Sequence, residues 1–449
     1  MSDDYEALAR TALLIRMDAL DGRPADDRAI VEGLRATTAR IVADRANLRS
    51  HAGQTALITL HNQLVMTGLR IDLDMPDITL ELPQQPLRGV SLAAALADYA
   101  DDLIPGGSTS DATRPDITFA LGDTPARADV RVSGSGYQIC VGPDSPGGHL
   151  RWEGSNPLGA IASAAAAAAE GVRAAMFNIV ARLDRDASVQ RVWSRDPRRQ
   201  VDQDLSSFAP HGPTLRSSDL GALDMVSGGA ITQACLYVLL RLPGHSGQIR
   251  VIEPETLDLS NLNRYSLARR SDLGRFKTDI LTDLAGDSLT ITGDRRRFDQ
   301  QSAADLVPFA PTVLAGVDHI PSRWLTQQHG QRQRLTIGST SHDFVLISSH
   351  PPGQPCVGCT HTRDDTTMGP IPTIGFVSLW AGLIQALHLL QKPPVSLSTA
   401  TWPLGLDNAR GIHSYKQARS PNCPLNCAKA SRHRQPSGSV SDSHTQSTQ

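Results

Sequence analysis

Aromatic side chains are scarce here: Phe, Tyr and Trp make up 4% of 449 residues, while Ala, Gly, Arg and Asp are plentiful. That bias reflects the base composition of a coding gene as much as function. Charge of one sign is also missing. Lys and Arg number 43 against 46 Asp and Glu, a formal net charge of −3, so no basic stripe points to nucleic acid and no acidic block to a solvating tail. The N-terminus, MSDDYEALARTALL, lacks a cationic segment followed by a long apolar core, so no signal peptide is expected. Long hydrophobic runs are few. The best membrane candidate, 374–390, is short for a span and carries Gln385 and His388, which favours a buried helix. The expectation is a soluble, cytoplasmic protein with no nucleic-acid or membrane partner.

Cysteine is sparse but clustered. Of six cysteines, Cys140 and Cys235 stand alone, while Cys356 and Cys359 (CVGC) and Cys423 and Cys427 (CPLNC) form two tight pairs. Four thiolates in two short loops satisfy a tetrahedral Zn²⁺, and in a chain without export features metal is favoured over disulfide. With all four positions filled by cysteine, the role read from the pattern is structural.

The length calls for two domains plus tails. Alanine and leucine spacing predicts helix over 5–47, then helices at 53–68, 91–104 and 156–183, with strands at 69–75, 116–122 and 128–142. The polar, proline-punctuated run 184–222 is read as the domain boundary. From 223 strands alternate with helices, which predicts a doubly wound, mostly parallel sheet in an α/β fold. The expected domains are 1–200, an N-terminal α/β unit; 215–428, a Rossmann-like unit with the cysteine site; and 430–449, a disordered tail without core-forming residues.

The candidate chemistry lies at strand ends of the second unit. VSGGAIT places Gly228 and Gly229 after the first strand, a phosphate loop or a plain tight turn, without a GxGxxG pattern. VIEPE puts Glu253, with Glu255 beside it, where such a sheet holds a ribose-binding acid. Asn261, Arg264 and Lys277 follow; Arg forks onto phosphate oxygens and Lys is a point charge, although both residues also read as solvated charges. Asp318, ending the strand before GVDHIPSR, suits Mg²⁺ on phosphates, or else Asp318 or Ser322 caps the next helix.

Taken in order, Glu253, SNLNRY at 260–265, DLGRFK at 272–277, VDH at 317–319 and the two cysteine pairs resemble the ThiF/MoeB and ubiquitin-activating enzyme family over about 215–428. The resemblance implies ATP, Mg²⁺ and Zn²⁺ as ligands. It implies that Glu253 binds the ribose, that Asn261 and Arg264 bind phosphates, that Lys277 neutralises transition-state charge, and that Asp318 holds Mg²⁺. The implied reaction is adenylation of the C-terminal glycine of a ubiquitin-like or sulfur-carrier protein, with a conjugating-enzyme-like protein as a possible further partner. The alternatives are a peptide-adenylating enzyme and an inactive nucleotide-binding scaffold. Ser227 and Thr232 stand where the family usually has glycine, Glu253 and Glu255 where it has aspartate, and His319 where it has asparagine.

The segment after the first cysteine pair, THTRDDTTMGPIP, has no cysteine, so a thioester at the usual place is excluded. The chain is then expected to stop at the acyl-adenylate, or to pass the acyl group to a hydroxyl such as Thr366 or Thr367. Family enzymes are dimers or pseudodimers in which an arginine crosses from the partner half. Residues 1–200 are accordingly read either as a degenerate adenylation half donating Arg40, Arg45 or Arg49, the alternative to a homodimer, or as an unrelated partner-recruiting domain.

Overall fold

The computed structural model describes residues 2–18, 25–80, 82–109, 114–144, 149–183, 200–208, 215, 217–364, 371–405 and 411–427. Thr366, Thr367 and the tail 430–449 lie outside the described residues, as does most of 184–199 and 209–214 in the expected boundary.

Residues 5–47 are not one helical unit. They divide into α1 (Ser2–Asp18), α2 (Asp27–Ala36) and a strand, β1 (Thr38–Val42). TARIV is short and rich in β-branched residues, and it occupies the middle of a sheet, where tertiary pairing overrides the helical spacing around it. The first half continues with α3 (His51–Met66), β2 (Arg70–Asp74), α4 (Leu92–Leu103), β3 (Ser108–Thr109), β4 (Ile117–Leu121), β5 (Val130–Ser135), β6 (Gln138–Pro143), α5 (Leu158–Arg182) and β7 (Val201–Asp204). The reading of 128–142 as strand resolves into the β5–β6 hairpin. Ser50 and Ser91 accept hydrogen bonds from Gly53 N and Ala94 N, which caps α3 and α4.

The second half holds β8 (Asp219–Val226), α6 (Ala230–Leu239), β9 (Ser246–Ile252), α7 (Lys277–Thr282), β10 (Leu289–Asp294), α8 (Ala303–Leu306), β11 (Thr312–Ala315), α9 (Ile320–His329), β12 (Arg334–Thr340), β13 (Val345–His350), α10 (Val357–Thr360), α11 (Gly375–Gln391), β14 (Leu397–Thr401) and β15 (His413–Lys416). The two sheets run β3-β2-β1-β4-β5-β6-β7 and β10-β9-β8-β11-β12-β13-β14-β15. Each begins with five parallel strands whose order reverses beside the first, and each ends in antiparallel strands. In order of appearance the strands are arranged alike, with one extra edge strand in the second sheet.

Helices α3 and α5 of the first half meet α6 and α11 of the second, and one apolar core runs through both halves. The 3₁₀ turn after β7 packs on α11, and the 3₁₀ turn after β14 packs on α5. Gly382 in α11 is required by this packing, because a Cβ there would lie 2.3 Å from Cys235 N. Polar side chains cross the seam: Thr59 and Tyr237 hydroxyls lie 2.8 Å apart, and His51 Nε2 lies 2.8 Å from Arg241 O. The stretch 374–390 is buried as α11. Leu158–Arg182 is long and apolar enough to cross a membrane, yet its apolar window is 94% buried in the protein.

Candidate active site

In an open parallel sheet ligands lie at the carboxyl ends of strands, where the strand order reverses. In the second half that point is between β8 and β11, and a cleft of about 330 Å³ opens there. Its walls come from the turn after β8, the long connection after β9, the turn after β11, and α1 of the first half.

The turn after β8 is held by Glu253. The carboxylate accepts from Gly228 N at 2.8 Å and from Glu255 N at 3.0 Å, and is 3.4 Å from the Ser227 hydroxyl. A Cβ on Gly228 would come 2.9 Å from Glu253 Cγ, so the close approach needs glycine. Ser227 has φ of 89°, a left-handed conformation that L-residues disfavour. Its hydroxyl accepts from Gly229 N at 3.0 Å, a local compensation that a glycine at this position lacks.

SNLNRY forms a turn anchored on both sides. Asp258 and Asn261 make a capping box, Asn261 Oδ1 accepting from Asp258 N at 3.1 Å. Asn263 donates to Thr11 Oγ1 at 3.1 Å and to Thr373 O at 2.9 Å, tying the turn to α1 and to the segment before α11. Arg264 donates to Ser260 O and to Asn263 Oδ1. Burial, the largest influence, lowers Arg264 to about 10, so it stays charged at neutral pH. Tyr265 presents its ring 5.4 Å from the Arg264 guanidinium carbon and 5.4 Å from Lys277 Nζ. Lys277 Nζ meets Glu255 Oε2 at 2.7 Å. Burial works against the ammonium, but Tyr265 and the bond to Glu255 outweigh it and leave Lys277 above its ordinary value.

Arg264 and Lys277, expected to be surface-accessible, are only 9% and 3% exposed. Each is a buried cation held by its own loop and turned to the cleft. Asp318 is exposed at the cleft rim, and α9 begins after His319, whose side chain makes no capping bond to the helix backbone. His319 Nδ1 instead lies 2.9 Å from the Ser322 hydroxyl. The structure therefore brings Gly229, Glu253, Glu255, Arg264, Lys277 and Asp318 together around one cleft, with Gly228 just behind. Asn261 is not among the lining residues; it shapes the turn.

The arginine from the first half is different from those anticipated. Arg40 pairs with Asp72 at 2.7 Å, Arg45 reaches Asp77 O at 3.5 Å, and Arg49 lines a separate cleft. Arg10 of α1 lines the active cleft and donates to Ile371 O at 3.0 Å. Nothing in the sequence marks it, because an arginine on an amphipathic helix is ordinary. Arg297, Arg323 and Tyr265 were likewise not singled out for this site; Tyr265 was legible only as the last letter of its motif.

The four sulfurs of Cys356, Cys359, Cys423 and Cys427 all lie within 4.8 Å of one another. The closest pairs, Cys356–Cys423 at 3.4 Å and Cys359–Cys427 at 3.3 Å, are far beyond a disulfide bond of about 2.05 Å. A Zn²⁺ with arms of about 2.3 Å sets sulfurs about 3.8 Å apart, so the cluster fits that ion. Burial pushes the Cys356 thiol up and Cys359 to about 11. Cys235 is fully buried in α6 and Cys140 lies in β6, neither at the cleft.

Part of the second half is similar to a known family. Residues 233–425 match the profile of the ThiF family. An uncharacterised protein of Sinorhizobium fredii, y4jF, is 41% identical over 170 residues, 36% of this chain and 33% of that one. The chain thus spans about a third of that curated relative's length. Among solved structures, E. coli MccB with ATP overlaps 45% of this chain and 65% of its own at 17% identity and a TM-score of 0.39. The microcin C7 biosynthetic enzyme MccB with N-formylated MccA overlaps 66% and 97% at 16% identity and a TM-score of 0.38. At these TM-scores the overlap carries no functional weight. The family match spans the carboxyl ends of β9 and β11 and three of the four clustered cysteines, Cys356, Cys359 and Cys423, so over residues 233–425 this chain is similar to the ThiF family.

Proposed function

We propose that this protein activates a polypeptide C-terminus with ATP, forming an acyl-adenylate. The substrate read from the motif set is a ubiquitin-like or sulfur-carrier protein ending in glycine. One observation carries the reading: buried Arg264 and Lys277, joined by Arg10 from the other half, converge on a glycine turn held by Glu253, with Asp318 at the rim.

A carboxylate oxygen of the substrate attacks the α-phosphorus, the bond from that phosphorus to the β-bridging oxygen breaks, and pyrophosphate leaves with the electron pair. No proton transfer and no protein nucleophile are needed. Arg10, Arg264 and Lys277 supply fixed positive charge where pyrophosphate charge develops. Burial of Arg264 and Lys277 keeps water from screening their charge, and the bonds that hold them, with that of half-buried Arg10 to Ile371 O, reduce the cost of ordering these cations during reaction. Glu253 retains free lone pairs for ribose hydroxyls beside its two backbone bonds. Asp318, an exposed carboxylate at the cleft rim, would hold an Mg²⁺, which would supply positive charge against the phosphates. Zn²⁺ on the four cysteines would brace the loops that carry it.

In this reading the first half is a degenerate copy that no longer binds nucleotide and instead contributes Arg10. Among the described residues no cysteine outside the four-cysteine cluster reaches the cleft, so the reading ends at the acyl-adenylate or at an oxyester on a hydroxyl such as Thr366 or Thr367. The test is ATP–pyrophosphate exchange with a small glycine-terminated protein encoded beside this gene. Exchange that needs both the terminal glycine and Lys277 supports the proposal. Intact ATP binding without exchange, for any such partner, moves the protein to a nucleotide-binding scaffold.

A further inference from the structure

The cysteine cluster and the cleft are joined by a short chain of contacts that a purely structural metal site does not need. Cys356 and Cys359 flank and form part of α10, a single turn. It packs tightly on the second pair: a Cβ on Gly358 would come 2.9 Å from Cys423 Sγ. From α10 and the next residue, three hydrogen bonds reach α9. Val357 N donates to Gln327 Oε1 at 3.0 Å, Trp324 Nε1 donates to His361 O at 2.9 Å, and Arg323 Nη1 lies 3.4 Å from His361 Nε2. Val357 also packs in the apolar cluster with Leu325.

Helix α9 is the element whose first turn faces the cleft. Ser322 and Arg323 line it, Asp318 and His319 precede it, and Arg323 Nε donates to Val317 O at 2.8 Å. His361 therefore touches the cluster's own loop through the chain and α9 through both its carbonyl and its ring. A shift of that loop moves Arg323, and with it the strand end that carries Asp318.

We propose that His361 is a positioning residue through which the four-cysteine cluster sets the placement of Asp318 and the first turn of α9. The proposal rests on the adenylating reading of the cleft and assigns its metal-dependent geometry to a named link. A carboxylate displaced by a fraction of an ångström loses its alignment with phosphate-bound Mg²⁺, so the link bears on turnover as well as on folding.

The experiment uses the full chain as wild type, His361→Ala, His361→Gln and Trp324→Phe. Three quantities are read: zinc per chain, amide hydrogen exchange of 317–329 without nucleotide, and kcat and Mg²⁺ dependence of ATP–pyrophosphate exchange. His361→Ala is expected to keep its zinc, to lose amide protection over 317–329, and to lower kcat about tenfold with a higher Mg²⁺ requirement. His361→Gln, whose amide oxygen can accept from Arg323, restores most of both. Trp324→Phe moves both readouts the same way by a smaller factor.

A zinc-loaded His361→Ala protein with wild-type amide protection and kinetics overturns the proposal. If His361→Ala sheds zinc, Trp324→Phe decides, because it leaves His361 and the cysteines untouched; unchanged protection and kinetics there overturn it equally. A wild-type protein without pyrophosphate exchange refutes the adenylating reading instead, and amide protection still judges the link.

Discussion

The two halves arrange their strands alike, and they treat the point of strand reversal in opposite ways. Between β1 and β4 the first half is filled. Asn47, fully buried, donates to Asp44 and Asp123 and accepts from Trp152 N, and a Cβ on Gly122 would come 1.9 Å from its Oδ1. Between β8 and β11 the second half is open, and the cleft there is lined by buried Glu253, Arg264 and Lys277. In the first half the Asn47 amide at the reversal is bonded on both sides within the protein. In the second half Lys277 is paired with Glu255, yet both ions and the Arg264 guanidinium still line an open cleft. The fold supplies the location; leaving it unfilled makes it a site.

That contrast breaks first at Lys277. Lys277→Ala is expected to reduce pyrophosphate exchange about 10²- to 10³-fold, the usual loss when one preorganised cation or donor is removed. Arg49→Ala, beside the equivalent region of the first half, should leave exchange within a factor of about two. Equal effects of the two variants would remove the contrast between the halves, and a larger effect at Arg49 would reverse it.

The next effect tests whether the filled half still serves the open one. Arg10→Ala should lower exchange about 10- to 100-fold with little change in melting temperature, since its one recorded bond is to Ile371 O. A variant with wild-type exchange would confine the chemistry to the second half.

Asn47→Ala probes the filling itself. Removing a buried amide that joins Asp44, Asp123 and Trp152 leaves several groups unpaired and should cost about 2–3 kcal/mol, read as a lowered denaturant midpoint. The kinetic constants of the protein that remains folded should not change.

How much of this was legible follows the same division. SNLNRY, DLGRFK and the cysteine pairs could be read because their residue types cannot be exchanged without losing the chemistry, and the cleft does gather Glu253, Arg264, Lys277 and Asp318. The burial of Arg264 and Lys277 could not be read, since α1 and the segment 371–374, which close over the SNLNRY turn, are distant in sequence. The first half offers no comparable motif set. The helical spacing on both sides hides its central strand β1, and nothing local separates Arg10 from Arg40, Arg45 or Arg49. Arg10 reaches the cleft only because α1 packs across the SNLNRY turn, a contact spanning some 250 residues that no local pattern encodes.

Acid should act on the cysteine cluster before it acts on the cleft. Zinc binding displaces thiol protons, and burial holds Cys356 and Cys359 above their ordinary values, so protons compete from higher pH than at a free thiol. Apparent zinc affinity, measured against a chelator, should fall steadily from pH 8.5 to 6.5. Glu255 titrates far lower: its bond to Lys277 depresses it, so its contribution is complete above the ordinary carboxylate range and is lost as pH falls through its lowered value. A pH-independent zinc affinity over that window would mean that the thiols are not the ligands.

The smallest effect concerns the one residue of the glycine turn that departs from glycine in a strained conformation. Ser227 at φ of 89° costs about 1–2 kcal/mol relative to an unstrained residue, and its hydroxyl recovers part of this by accepting from Gly229 N. Ser227→Gly relieves the strain, but it loses that bond and adds freedom to the unfolded chain, so the terms nearly cancel and stability should move by less than about 0.5 kcal/mol. Ser227→Ala keeps the strain and loses the bond, and should cost about 1 kcal/mol. The difference between the two variants isolates the backbone term, because both lack the hydroxyl. If Ala is tolerated as well as Gly, the serine is unstrained in solution, and the turn is looser than the bond from Gly228 N to Glu253 implies.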